Sequence, residues 1–111
     1  MTAITVGSTS DYVVQAYGYI RKHFLMSEAE LAKARHLVVD TARRLNLQLI
    51  AIHVEEIETS PEAFHDLLAA VMRNEQRTII APDIQHFEVA GDAAVVAARL
   101  ESNGIKIIVC G

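Results

Sequence analysis

Arg21, Lys22 and His23 close an alternating stretch, Ala16–His23 (AYGYIRKH), and bring two cations and an imidazole together in three consecutive residues. Glu55, Glu56 and Glu58 follow a second apolar run, and Asp83, Gln85 and His86 follow a third. Groups of these types support more than one chemistry. A histidine near an arginine can attack phosphorus and form a phosphoryl intermediate, with His23 as the nucleophile. Imidazole and carboxylate also suit zinc or manganese, with His23, Glu55 or Glu56, and His86 or Asp83 as the ligands. The sequence has no compact ligand spacing such as H-E-x-x-H, and the plainer reading is a set of solvated residues at strand ends.

These residues need strands to place them. Strand one is expected from about Tyr12 to Lys22, rich in β-branched and aromatic residues. Gly18 within it implies close approach of a neighbouring backbone. Tyr17 and Tyr19 share one face and read as core, with their hydroxyls at the sheet margin. Ser27 and Glu30 form a capping box that opens a helix running to about Leu45. Its apolar stripe is Leu31, Ala34, Val38, Ala42 and Leu45, and Arg43 and Arg44 lie in its last turn. Gln48–Val54 reads as a strand buried on both faces. Ser60 and Pro61 open a second helix that turns Phe64, Leu67, Leu68, Val71 and Met72 inward. Thr78–Ala81 is a third strand stopped by Pro82, and Ile84–Val89 is a connecting loop. Asp92 caps a third helix, Gly104 ends it, and Ile105–Cys110 is a fourth strand.

The order β-α-β-α-β-α-β implies an α/β fold in three layers, a mainly parallel four-stranded sheet with helices on both faces. Functional groups on such a sheet gather beyond the carboxyl ends of its strands. The chain has 111 residues and is half hydrophobic, which suits a single domain with a real core. Residues 1–11 are small and polar and are expected to form a mobile leader, with one domain over 12–111. Gly7-Ser8-Thr9-Ser10 lacks the spacing and the lysine of a phosphate loop. No apolar run is long enough for a membrane span, and a cytoplasmic location is the default expectation. The single cysteine, Cys110, excludes an internal disulfide and reads as a small hydrophobe. His53 reads as packed in its strand, and His36 and His65 as surface residues.

Net charge is −4, and no lysine or arginine occurs from Leu45 through Met72. Autonomous nucleic-acid binding needs a basic face, so DNA contact is expected to be weak or indirect.

With that layout, the motifs resemble the catalytic domain of the serine recombinases, the resolvase–invertase family. Its first strand ends in Y-x-R-V-S, which is matched by Tyr19, Ile20, Arg21, Lys22 and His23. After its third strand the family has L-D-R-L-x-R, matched by Ile84, Gln85, His86, Phe87, Glu88 and Val89. The helix Pro61–Asn74 and the glycine before the last strand also fit, so the resemblance spans about Ala16 to Val109. It implies a resolvase-like fold and a site at Arg21, His23, Gln85 and His86. The departures fall on that site. His23 stands where the family has its nucleophilic serine, Gln85 and His86 where it has an acid and an arginine, and Val89 where it has another arginine. Phosphoryl transfer needs positioned positive charge, and Glu55, Glu56 and Glu58 would repel a phosphate.

The resulting expectation is a non-catalytic recombinase-like domain with a regulatory or scaffolding role. It would act through self-association or a protein partner and use no cofactor. The alternatives are a DNA nicking or strand-transfer enzyme with an altered site that uses His23, and a metal- or small-molecule-binding module at the strand ends.

Overall fold

A computed structural model describes residues 14–56, 61–75, 77–89 and 91–110. Strands β1 (Gln15–Lys22), β2 (Gln48–Glu56), β3 (Arg77–Ala81) and β4 (Ile105–Val109) form one sheet in the order β2-β1-β3-β4. All three strand pairings are parallel. Helix α1 (Glu28–Arg44) lies on one face, and α2 (Glu62–Val71) and α3 (Ala93–Ser102) lie on the other. The fold is therefore α/β, and three layers deep. The expected leader, the start of strand one at Tyr12 and Val13, and Glu58 and Ser60 lie outside the described residues.

Strand alternation divides the core in two. Tyr17, Tyr19, Ile79, Ala81 and Ile105 face α2 and α3, where Phe64, Leu67, Val71, Val96 and Leu100 meet them. Ala16, Ile20 and Ile80 face α1 and its Leu31, Ala34, Val38 and Ala42. Gly18 lies beneath α1. A Cβ there would stand 2.8 Å from Val38 Cγ1 and 3.0 Å from Ile52 Cγ1. The close approach is thus made by side chains from a helix and a neighbouring strand, not by a backbone.

The helices start and stop where local chemistry directs. Ser27 Oγ accepts from Glu30 N–H at 3.1 Å, and the Glu30 carboxylate accepts from Ser27 N–H at 3.0 Å, the full capping box. The Ser27 bonds hold the Glu30 carboxyl below its ordinary range. At the other end of α1, Asn46 takes the left-handed conformation (φ 58°). Asn46 N–H bonds Arg43 C=O, and Leu47 N–H bonds Ala42 C=O at 2.8 Å, the Schellman arrangement. Asp92 accepts from Ala94 and Val95 and caps α3, and Gly104 (φ 82°) closes it.

Several expectations require correction. β2 is an edge strand and mostly half-exposed, because strand order places only β1 and β3 inside the sheet. Leu45 (47% exposed) and Met72 (45% exposed) fall past the last turns of their helices and do not join the core. Pro61 sits at the helix cap rather than at the first helical position, and no side chain of its own bonds there. Ile84–Phe87 is a short 3-10 helix, not an open loop, with Asp83 Oδ1 accepting from Gln85 N–H at 2.9 Å.

Candidate functional site

β1 and β3 are neighbours, but the chain leaves β1 for a helix on one face and β3 for a helix on the other. A crevice opens where two such strands diverge. Here it is a cleft of about 320 Å³ at their carboxyl ends. Arg21 and His23 come from β1 and the residue just after it. Asp83, Gln85, His86 and Glu88 come from the turn after β3, and Met26 and Glu30 from the start of α1.

The four site positions read from the sequence, Arg21, His23, Gln85 and His86, are brought together in this one cleft. The link between the two strands is His86. Its Nδ1 accepts from the Arg21 backbone N–H at 2.8 Å. An accepting Nδ1 places the ring proton on Nε2, and Nε2 lies 3.9 Å from Asp83 Oδ2. The ring is buried, and burial pushes its pKa below the ordinary imidazole range. Asp83 opposes that shift, while His23 and Arg21 add to it. His86 is therefore a neutral positioning residue that ties the turn after β3 to the end of β1. His23 is exposed at the cleft edge.

Glu55 and Glu56, at the end of β2, do not line this cleft. Glu55 is 3% exposed. Its Oε1 accepts from Phe64 N–H at 2.9 Å and from the Tyr19 hydroxyl at 3.4 Å, and its Oε2 accepts from Ala63 N–H at 3.3 Å. It thus caps α2 from the end of β2 and does the work expected of Ser60. Burial first, then the Glu55 charge and hydrogen bond, raise the Tyr19 phenol well above its ordinary range. Tyr19 in turn packs on Phe64 and Phe87, with ring centroids 5.4 and 5.9 Å away. Tyr17 accepts from Asn74 Nδ2 at 3.2 Å, so both hydroxyls have internal partners. Glu56 pairs with Lys22 at 3.9 Å, and Lys22 also meets Glu28 at 3.7 Å.

Among the described residues, the cleft's carboxylates are instead Glu30, Asp83 and Glu88, against one arginine. Glu30 and Glu88 were not singled out from the sequence as site residues. The capping box was the available signal for Glu30, because a helix that starts just after β1 must begin beside the end of that strand. As for the metal candidates, Glu55 spends both oxygens on the α2 cap, and His86 spends Nδ1 on β1. Among the described residues, no three His, Cys, Asp or Glu side chains are grouped to hold a metal.

His53 is half-buried, with its ring 6.3 Å from that of Tyr17, and His36 and His65 are exposed. Cys110 is half-buried, and its Sγ lies 3.5 Å from Leu37 C=O. No helix among the described residues is long and apolar enough to cross a membrane. No protein-family model and no curated protein matches this chain.

Proposed function

We propose that the chain is a serine-recombinase-like domain without strand-transfer chemistry, and that it works through contacts with other proteins in a regulatory or scaffolding role. The observation that carries this reading is the charge of the cleft. Among the described residues Arg21 is its one fixed cation, and it shares the cleft with Glu30, Asp83 and Glu88. A transferring phosphoryl group requires the opposite balance. Among the described residues, no serine, threonine, cysteine or tyrosine lines the cleft. The nearby Ser27 hydroxyl is held as a helix cap. His86, the one buried base there, is committed through Nδ1 to the backbone of β1.

The contact reading has its own support. Phe24 and Leu25 follow His23 at the rim of the cleft, and each is 74% exposed. Adjacent large apolar side chains presented this way suit burial against a protein surface. β2 and β4 are the two edges of the sheet and expose Ile50 and Val109, which suits pairing with a second copy. The process served is cytoplasmic on this reading, beside DNA-handling proteins rather than on DNA directly. Supercoiled plasmid incubated with the protein, with and without magnesium, is expected to stay supercoiled. Nicked product that disappears in His23→Ala would overturn the reading in favour of an altered nicking site.

A further inference from the structure

The turn that leaves β1 presents Phe24 and Leu25 to solvent, and its two ends are fixed. Met26 N–H donates to His23 C=O at 2.9 Å and closes the turn. Met26 also packs against Ile20, Leu31 and Ala34. Among the described residues, neither Phe24 nor Leu25 belongs to a core cluster. Two large apolar side chains at the tip of an anchored turn are pre-organised for burial against another surface, because little backbone ordering remains to be done on contact.

The charge beside the turn is negative. His23 and Met26, on either side of the apolar pair, line the cleft at the carboxyl ends of β1 and β3. Glu30, Asp83 and Glu88 line it with them, all three exposed, against the single Arg21 among the described residues. A nucleic acid or an anionic lipid surface would meet these carboxylates at close range. A second copy docked by the same face would set them against their own counterparts, because a two-fold contact pairs a patch with itself, and like charges so placed oppose association. A basic side chain meets the opposite balance.

His86 supplies a second, independent feature. It lines the cleft and is 8% exposed. Its Nδ1 is taken by the Arg21 backbone N–H, which leaves Nε2–H as a donor. Asp83 Oδ2, at 3.9 Å, is too far to accept from it. Among the described residues no fully buried side-chain polar atom lacks a partner, so this unbonded Nε2–H opens on the cleft. An acceptor that enters the cleft satisfies it. A backbone carbonyl fits that place, whereas a carboxylate would bring a fourth negative charge beside three.

We infer that the turn and the cleft together dock an extended segment of a partner protein. An apolar side chain of the segment packs on Phe24 and Leu25, a neighbouring lysine or arginine enters among Glu30, Asp83 and Glu88, and a backbone carbonyl accepts from His86 Nε2–H. The apolar contact supplies the anchor and the carboxylates select the sign of its neighbour. The inference rests on the reading of the chain as a contact module, and it adds the surface and the chemistry of the partner.

Three fluorescein-labelled peptides test it, alike in a pair of leucines and differing in whether lysine, glutamine or glutamate follows them. Each is titrated with the full chain and followed by anisotropy. The chain as a whole carries −4, so general attraction of a cation has to be separated from the cleft. Glu88→Lys and Glu101→Lys change the net charge equally, but Glu88 lines the cleft and Glu101 lies in the last turn of α3, toward the opposite end of the sheet. The expected result is saturable binding of the lysine peptide, weakened by roughly tenfold or more in Glu88→Lys and by less than about twofold in Glu101→Lys. Phe24→Ser, at an exposed position, should weaken the lysine and glutamine peptides without unfolding the chain, as circular dichroism would verify. The His86 Nε2 nitrogen resonance should move as the lysine peptide is added. No binding, equal binding of the three peptides, equal weakening by the two charge reversals, no effect of Phe24→Ser, or an unmoved His86 resonance would overturn the inference. So would a dimer in sedimentation that Phe24→Ser abolishes, or binding to phosphatidylserine vesicles that Phe24→Ser abolishes, since the turn would then serve a second copy or a lipid surface. Plasmid nicking would overturn the non-catalytic reading and leave the peptide result unchanged, so the two failures are distinguishable.

Discussion

His86 combines burial, an accepting nitrogen and a lowered pKa, and these fix how it responds to acid. In the folded chain its Nδ1 must accept from Arg21 N–H, and a protonated ring has no acceptor to offer. Its folded pKa is lowered, chiefly by burial, so the unfolded chain binds the extra proton first as pH falls. The stability that depends on the neutral ring is whole above the ordinary imidazole pKa. It declines as pH falls through that value toward the lowered one. Denaturant midpoints measured between about pH 7.5 and pH 5 are expected to fall, and the fall should be shallower in His86→Asn. An identical slope in the variant would show that the ring is not so constrained. Glu55 illustrates a different limit on reading single residues. Its type and position suggested a metal ligand or a charged wall, but its partners are two amides 8 and 9 residues away and a phenol 36 residues away. No local signal specifies such a cap. Glu55→Ala leaves Phe64 N–H unpaired in a buried place, and a loss of about 1–3 kcal/mol is expected in equilibrium unfolding. A change within a few tenths would mean that water serves the helix end equally well.

At the scale of elements, much of what local chemistry controls was legible. The capping box at Ser27, the Asp92 cap and the Gly104 stop all depend on residues within one turn of each other, and each lies where the sequence put it. Burial of whole strands depends on strand order, which no single strand encodes. Gln48–Val54 is apolar enough for a central strand, yet β2 stands at an edge. The two ends of α1 show the same division. The start followed from Ser27 and Glu30, while Leu45 leaves the stripe because the helix has already closed at Arg44. Gly18 couples an element to its neighbour. Val38 is β-branched, fully buried and stiff at χ1, so it cannot yield 2.8 Å to a new methyl without shifting α1. Gly18→Ala is expected to destabilise by about 1–3 kcal/mol, read as a lowered denaturant midpoint. A stabilised variant would show that α1 moves freely over the sheet.

At the scale of the molecule, the alternation of elements sufficed to place the chemistry-bearing residues. Arg21 and His23 follow one strand, and Gln85 and His86 follow another. Once those strands are neighbours in a parallel sheet, all four reach the same cleft. The sign of the cleft was legible only in part: the capping box sets Glu30 beside the end of β1, whereas Glu88 follows β3, whose pairing with β1 is tertiary. The two ends of the sheet differ in character. The carboxyl ends hold an acidic cleft, with the exposed Phe24 and Leu25 between its lining residues His23 and Met26, and the amino ends hold a largely apolar groove lined by Val14, Leu45, Leu47 and Ile108. That polarity suits a module that touches more than one surface better than one that grips a phosphodiester backbone.

The most direct test is a plasmid assay quenched with detergent and resolved before and after protease, which detects both strand breaks and protein joined to DNA. With the wild-type chain, supercoiled substrate is expected to remain intact, with no protease-sensitive adduct, in the presence or absence of magnesium or manganese. A nicked or protein-linked product that is absent with His23→Ala would contradict the central claim, because the cleft would then transfer a phosphoryl group despite its three carboxylates.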